Sequence, residues 1–252
     1  MSADDLDGYI VGPVSKALAV LTYIAQRSHP VSLTTVSTAL GIPKTSAFRY
    51  LRTLTQAGFV DHDPTNDRYG LGVQFHTIAS ANSHVQRLRE RARPAMRALM
   101  GEFNETVNLA VRDDTSIVYV DQVEPRRSLQ MRARIGDVHP MHSTALGKAI
   151  LAFVPEPELR RYLDRPLSER TGRTLIEAAE IERQLRLVRS NGYATESGEN
   201  EDGAMCVGVA LFDQSGYPVA ALSISAPLHR MPRPLAAEAG ARLLEVARAV
   251  AG

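Results

Sequence analysis

The first 72 residues are punctuated too often for any long helix. Pro13 opens an apolar-periodic run, His29-Pro30 stops it, Gly41-Ile42-Pro43 interrupts the next, and Gly58 closes a third. Proline cannot donate into a helix, and glycine accepts the left-handed turn that ends one, so these positions confine the chain to three short helices. The first is expected to bury Val14, Leu18, Leu21 and Ala25, which recur at i, i+4, i+7 and i+11. Ser32 is placed to cap the second, whose inward stripe is Val36, Ala39 and Leu40. The third runs from about Lys44 to Ala57, with Ala47, Leu51 and Leu54 inward and Tyr50 beside them. Phe59–His62 and Arg68–Leu71 then read as strands around Asp63-Pro64-Thr65-Asn66-Asp67, a turn-forming tip. Three short helices and a hairpin make a winged helix-turn-helix, whose second and third helices are joined by a short glycine-containing turn.

Charge sharpens that reading. The whole chain of 252 residues is nearly neutral at +1, but no Asp or Glu occurs from Gly8 to Val60, where Lys16, Arg27, Lys44, Arg49 and Arg52 fall. Residues 1–60 carry five basic against three acidic side chains, and the remainder is net −1. A surface that meets a polyanion needs such an acid-free block, because each carboxylate would oppose association. With the core positions facing inward, Thr45, Arg49 and Arg52 share the opposite face of the third helix. Lys44, Thr45 and Ser46 occupy its first turn, whose free N–H groups and positive dipole end suit a phosphate. Thr and Ser read several bases, and Arg makes a bidentate pair with guanine. Phe48 lies one residue off that face, and Arg68 on the hairpin is placed to meet the DNA backbone or minor groove.

The rest of the chain has a different texture. Residues 1–12 read as a flexible tail, 13–72 as the DNA-binding domain, 73–92 as a basic linker helix, and 93–252 as one α+β domain. In the last, a helix through Met96, Leu99, Met100 and Phe103 precedes strands at Thr106–Arg112 and Ile117–Val123, with another expected near Ser128–Ala133. Helices follow at about Thr144–Phe153, Glu156–Leu163 and Ile176–Asn191, then strands Cys206–Phe212 and Tyr217–Ser225 and a closing helix Pro234–Val250. Hairpins with segregated helices imply an antiparallel sheet. One cysteine excludes an intrachain disulfide framework and every multi-Cys zinc motif. With no secretory leader pattern and no run of about 20 apolar residues, a cytoplasmic protein without membrane partners is expected.

The run Gly41-Ile42-Pro43-Lys44-Thr45-Ser46-Ala47-Phe48-Arg49-Tyr50-Leu51-Arg52-Thr53-Leu54, then Ala57-Gly58-Phe59-Val60 and Tyr69-Gly70-Leu71-Gly72, resembles the DNA-binding domain of the IclR family of bacterial transcription regulators. Pro140-Met141-His142-Ser143-Thr144-Ala145-Leu146-Gly147-Lys148-Ala149, Cys206–Asp213 and Leu222–Pro227 are similar to that family's effector-domain signatures. The resemblance implies a repressor or activator with a GAF-like C-terminal domain that takes a small metabolite, often an organic acid. It implies a homodimer or dimer of dimers on a palindromic double-stranded operator, with no cofactor. It assigns the effector to Thr144, Ala145 and Leu146, the facing Glu196, and Cys206, Ser223 and Ser225 on neighbouring strands, with Met131 and His139 lining the pocket. Glu196 stands where the shorter Asp is expected and His139 where Leu is common, which implies a pocket of altered size and polarity.

The residues by themselves leave two readings open. Thr144-Ala145-Leu146 begins a helix whose free N–H groups suit a carboxylate, and Ser223 and Ser225 share one face of a strand. Equally, Thr144 is a plain cap, the serines satisfy local backbone, and Cys206 is a small buried residue. An enzyme using the same pocket is the alternative function. It finds little support: Gly147-Lys148 lacks the glycine and the Ser or Thr of a Walker loop, and no Gly-x-Ser-x-Gly elbow occurs. His139, His142, Glu196 and Cys206 would meet in a zinc site only through the fold, so no catalytic residue and no metal is assigned.

Overall fold

A computed structural model describes residues 10–81 and 83–250, with the side chains of residues 76, 79–81 and 83 left out. Residues 1–9 of the expected tail lie outside the described residues. The chain divides into two compact units, the first ending at Ser83 and the second beginning at His84.

The smaller unit contains α1 (Gly12–Ala25), α2 (Leu33–Leu40), α3 (Lys44–Gln56), the antiparallel pair β1 (Val60–Asp63) and β2 (Arg68–Leu71), and α4 (Gln74–Ala81). Ser32 caps α2 by accepting the Thr35 N–H at 3.1 Å. Gly41 ends α2 at φ +63°, a left-handed conformation that costs other residues energy. Ser37 Oγ donates to the Ile42 carbonyl at 2.7 Å and pins the turn into α3. Val31 exchanges backbone hydrogen bonds with Tyr69, which ties the hairpin to the helices. The core is Val20, Leu21, Ile24, Val36, Ala47, Leu51, Leu54, Val60 and Tyr69. That corrects the expected stripe of α1: Val14 and Leu18 are 55% and 57% exposed, and Ala25 is exposed. The helix is apolar on several faces, so spacing alone did not say which face packs.

The larger unit is a six-stranded antiparallel sheet in the order β5-β4-β3-β8-β7-β6, with helices on both faces. Its elements are α5 (Ser83–Phe103), β3 (Thr106–Asp113), β4 (Ser116–Val123), β5 (Val138–Pro140), α6 (Ala145–Leu151), α7 (Glu156–Leu163), α8 (Ala178–Asn191), β6 (Ala194–Ser197), β7 (Ala204–Phe212), β8 (Pro218–Pro227) and α9 (Arg233–Val250). The expected helix at 73–92 is helical over Gln74–Ala81 and again over Ser83–Phe103, the latter continuing through Pro94. Proline there removes the N–H that would reach Glu90's carbonyl. Ala92, Met96 and Leu99, all fully buried against the sheet, hold the helix through the gap. The strand expected near Ser128–Ala133 is a loop instead, tethered by Thr106 Oγ1 donating to the Met131 carbonyl at 2.7 Å. The short strands β5 and β6 fill the sheet's edges.

Side-chain alternation sorts the two faces. Val107, Leu109, Val207, Val209, Leu222 and Ile224 point to α5 and α9. Ala110, Ala210 and Ala221 point to α6, α7 and α8. Toward one end of this second face the apolar residues give way to Asn108, Cys206, Gly208, Ser223 and Ser225. Those residues position the cavity described below.

Candidate nucleic-acid interface and effector cavity

On α3, Ala47 and Leu51 are fully buried and Leu54 nearly so, and the opposite face carries exposed Lys44, Thr45, Arg49 and Arg52, with Ser46 half-buried. Phe48 is 50% exposed beside them. Four cation or hydroxyl side chains on one exposed helix face can meet phosphates and base edges together. Arg68 is exposed on β2, as expected, but it sits among acids. The acid-free stretch ends where the hairpin begins, and Asp61 and Asp67 are both exposed. Asp63 organises the tip: its carboxylate accepts the Thr65 N–H at 2.9 Å and the Asn66 side-chain amide at 2.7 Å. Those bonds, the Asn66 amide first, hold its pKa below the usual carboxylate value. The hairpin therefore offers one cation, and α3 carries most of the positive face.

In the larger unit, three strands bring one row of side chains together. Glu196 on β6 pairs with Cys206 on β7, which pairs with Ser225 on β8. With Asn108, Tyr119, Met131, His139 and Asn200 they line a cavity of about 120 Å³. Of the residues expected to bind effector, Met131, His139, Glu196, Cys206 and Ser225 thus line one space. Ser223 lies beside it, fully buried, accepting from Asn108 Nδ2 at 3.4 Å while Ser225 accepts from the same amide at 3.1 Å.

Thr144, Ala145 and Leu146 are buried but do not line the cavity. Thr144 Oγ1 accepts the Gly147 N–H at 3.0 Å and donates to the Pro140 carbonyl at 3.1 Å, so its side chain is used within the helix start. The backbone packs closely beside it: a Cβ on Gly208 would lie 2.9 Å from the Ala145 carbonyl carbon. Thr144 is thus the cap of a helix start that packs on β7.

Glu196 is 2% exposed, and one of its oxygens accepts the backbone N–H of both Glu199 (2.5 Å) and Asn200 (3.1 Å). Burial raises its pKa above the ordinary carboxylate value, against the lowering effect of those N–H groups. Burial also pushes the Cys206 thiol and the Tyr119 phenol well up, so both remain protonated donors near neutrality. His139 stands edge-on to Tyr119 and its Nδ1 is 2.9 Å from the Asn200 side-chain nitrogen. Asn200 also accepts from Ser143 Oγ at 3.1 Å. His142 turns elsewhere, with Nδ1 at 2.9 Å from the Tyr162 hydroxyl and Nε2 at 3.1 Å from the Ser168 carbonyl. Among the described residues no three His, Cys, Asp or Glu side chains group to hold a metal.

Asn108, Tyr119, Asn200 and the ion pair beneath them were not singled out from sequence. Lys148 is fully buried, and its Nζ donates to Glu199 Oε1 and Gln184 Oε1, both at 2.7 Å. Thr171 and Thr174 hydroxyls donate to the Gly198 and Glu199 carbonyls at 2.6 Å each. The turn bearing Asn200 is thereby anchored from three sides. A signal was present: Ser197-Gly198-Glu199-Asn200 is a dense turn immediately after the expected Glu196.

Comparisons with known proteins cover both units. The family model described as the IclR helix-turn-helix domain matches residues 13–64, and that described as bacterial transcriptional regulator IclR C-terminal matches residues 80–252. The chain is 32% identical over 243 residues to the transcriptional repressor IclR of Escherichia coli K12, covering 95% of this chain and 89% of that protein. The crystal structure of the Thermotoga maritima IclR superposes with a TM-score of 0.78 at 33% identity, over 96% of this chain and 98% of that one. An IclR homologue from Microbacterium hydrocarbonoxydans, solved as a complex with 4-hydroxybenzoate, shares the fold at a TM-score of 0.82 and 21% identity, over 95% of this chain and 97% of that one.

Proposed function

The chain belongs to the IclR family of bacterial transcriptional regulators, and from that premise we propose that Thr45, Ser46, Arg49 and Arg52 on α3 read an operator while Lys44 and Arg68 hold its phosphates. The protein is a DNA-binding regulator with an N-terminal helix-turn-helix and a C-terminal effector-binding domain. Residues 13–72 are the DNA-binding part, 73–92 the link, and 93–252 the effector domain. The observation that carries the reading is the exposed cationic face of α3 opposite its Ala47-Leu51-Leu54 core. In helix-turn-helix proteins this second helix enters the major groove.

A small organic acid in the cavity between Glu196 and Ser225 shifts the protein between operator-competent and incompetent states. Such a shift requires unequal affinity for the two states. The operator is palindromic and the regulator a homodimer or dimer of dimers, working in the cytoplasm without catalysis. Support for a second copy comes from the start of α1, where Val14 and Leu18 share one face and, with Val11 at the N-cap and Ile10 before it, are each more than half exposed.

The test is selection of a preferred duplex from a random pool, followed by titration against salt. The wild type is expected to show a steep log–log decline, because phosphate contacts release counterions. Arg49→Ala is expected to lose about 1–3 kcal/mol on the selected site and to relax preference at one base pair. A flat salt dependence, or unchanged preference in Arg49→Ala, would refute the assignment.

A further inference from the structure

We propose that a second cavity, on the opposite side of β6 from the one lined by Glu196, binds a free amphipathic acid: an alkyl or arylalkyl chain that ends in one carboxylate. β6 is the last strand of the sheet. Side chains alternate along it, so Glu196 turns to the smaller cavity while Thr195 and Ser197 turn to the other face. On that face α9 packs over β7 and β8, and the space left over β6 is walled by α8. Its volume is about 550 Å³, against about 120 Å³ for the cavity at Glu196. Sites for small molecules commonly span about 300–1,000 Å³.

The walls are mostly apolar. Met205, Met231 and Val188 are buried in them, and Leu187 and Leu228 stand at the rim, 59% and 38% exposed. Tyr193 closes one side with its ring laid on the backbone of α9, where a Cβ on Gly240 would lie 2.6 Å from it. Beside that ring the preceding turn of α9 presents only Ala236 and Ala237, so the space stays open. Methionine side chains bend to fit an irregular chain, and the rim leucines gain by being covered. Such a lining calls for a hydrocarbon body longer than the smaller cavity admits.

Charge assigns the other end of the ligand. Arg233, in the first turn of α9, is the one charged side chain among the described residues that line the space, and no Asp or Glu joins it. The cavity at Glu196 is the opposite case, with Asp137, Glu196 and Glu201 in its lining. A cation at the edge of an acid-free apolar groove selects an anion, and one guanidinium takes one carboxylate as a bidentate pair. A phosphate monoester would bring about two charges to that single cation. Asn191, Thr195 and Ser197 supply neutral hydrogen-bonding groups along the same space and no second charge.

Calorimetric titration of the full chain tests this with hexanoate, octanoate and decanoate, each kept below the concentration at which it self-associates. A single molecule is expected to bind per chain, about three- to fourfold tighter for each added methylene, because each buries a similar apolar area. Decanoate is expected to bind about threefold or more tighter than 1-decanol or decylammonium. Arg233→Gln should weaken decanoate by about threefold or more and leave 1-decanol unchanged. Ala237→Trp fills the groove from an exposed position that spares the core, and should weaken every chain length by about tenfold or more. Ser225→Ala, in the smaller cavity, should leave decanoate within about twofold of wild type, and a larger loss would move the acid to that cavity and refute the second site. Binding beyond one molecule per chain, affinity that is flat with chain length, equal binding of decylammonium, or no loss in Ala237→Trp would overturn the proposal. So would the absence of binding, and sedimentation of wild type and Ala237→Trp would then show whether a second copy of the chain fills the groove instead.

Discussion

Lys148→Met is the sharpest test of how the turn from Ser197 to Asn200 is held. Lys148 is fully buried in α6, and its ammonium meets Glu199 and Gln184 at 2.7 Å each. Glu199 is 7% exposed, and its other oxygen, Oε2, is buried without a hydrogen-bond partner. The carboxylate thus depends on Lys148 for charge compensation and on little else. Methionine keeps most of the stem's packing volume, so the substitution removes charge far more than contact. Breaking a buried pair from one side costs about 3–5 kcal/mol, because the remaining charge is stranded. For a unit of this size, 1 kcal/mol corresponds to roughly 2–4 °C in Tm, so differential scanning calorimetry should show a fall of about 6–20 °C. Glu199→Gln should also destabilise, since it strands the ammonium. Combined with Lys148→Met it should recover much of the loss, to within about 1–2 kcal/mol of wild type, because a neutral buried pair carries no desolvated charge. A drop below about 1 kcal/mol in Lys148→Met, or a double variant as unstable as the sum of the singles, would refute the reasoning.

Two further expectations follow from the same region and one contrast. Gly147→Ala should destabilise by at least about 1–3 kcal/mol in chemical denaturation, because its Cβ would lie 2.2 Å from the Met141 Cα and neither backbone can yield cheaply. Gly41→Ala meets open space but keeps φ at +63°, so its cost should stay near 1 kcal/mol, and equal losses in the two variants would contradict the distinction. His142 is held neutral: burial first, and the nearby Lys148 charge, lower its pKa, against the Ser168 carbonyl's opposing pull. A depressed folded-state pKa gives stability that is complete above about pH 6.5 and lost as pH falls through the lower folded value. His142→Gln should flatten that acid-side loss in stability–pH profiles, and an unchanged slope would sink the assignment.

How much of this was legible in the sequence depends on whether the signal is local. The winged helix-turn-helix was, because each of its parts announces itself within a few residues: the Ser32 cap, the Gly41 turn, the hairpin tip at Asp63–Asp67. The long strands β3, β4, β7 and β8 were legible for the same reason, their apolar alternation being a property of one segment. The strands at the sheet edges were not. β5 is three residues long, β6 four, and neither length sustains a period. The false strand near Ser128–Ala133 is the converse error, a β-compatible segment that finds no ladder and hangs instead from Thr106. On α1 the periodicity was real but ambiguous, since apolar residues lie both on the packed face of Val20, Leu21 and Ile24 and on the exposed stripe at Val14 and Leu18.

The cavity marks the boundary of what one segment can say. Alternation puts Ser223 and Ser225 on one face, and it does so correctly, but it cannot say that Asn108 from another strand donates to both. That fact lives in the register between β3 and β8, where Asn108 lies opposite Ser223. Register is set by the whole sheet's packing rather than by any local pattern. The same limit holds at the start of α6: that Gly208, on a distant strand, lets the backbone of Ala145 pack against β7 is not a property of either segment alone. Glu196 shows the reverse case. Its identity was legible and its direction was not, because whether a carboxylate turns to a ligand or to its own chain depends on which N–H groups lie within its reach. Here Glu199 and Asn200 are three and four residues away and both are taken. The polarity of this end of the cavity therefore follows from a local turn that uses up its own donors.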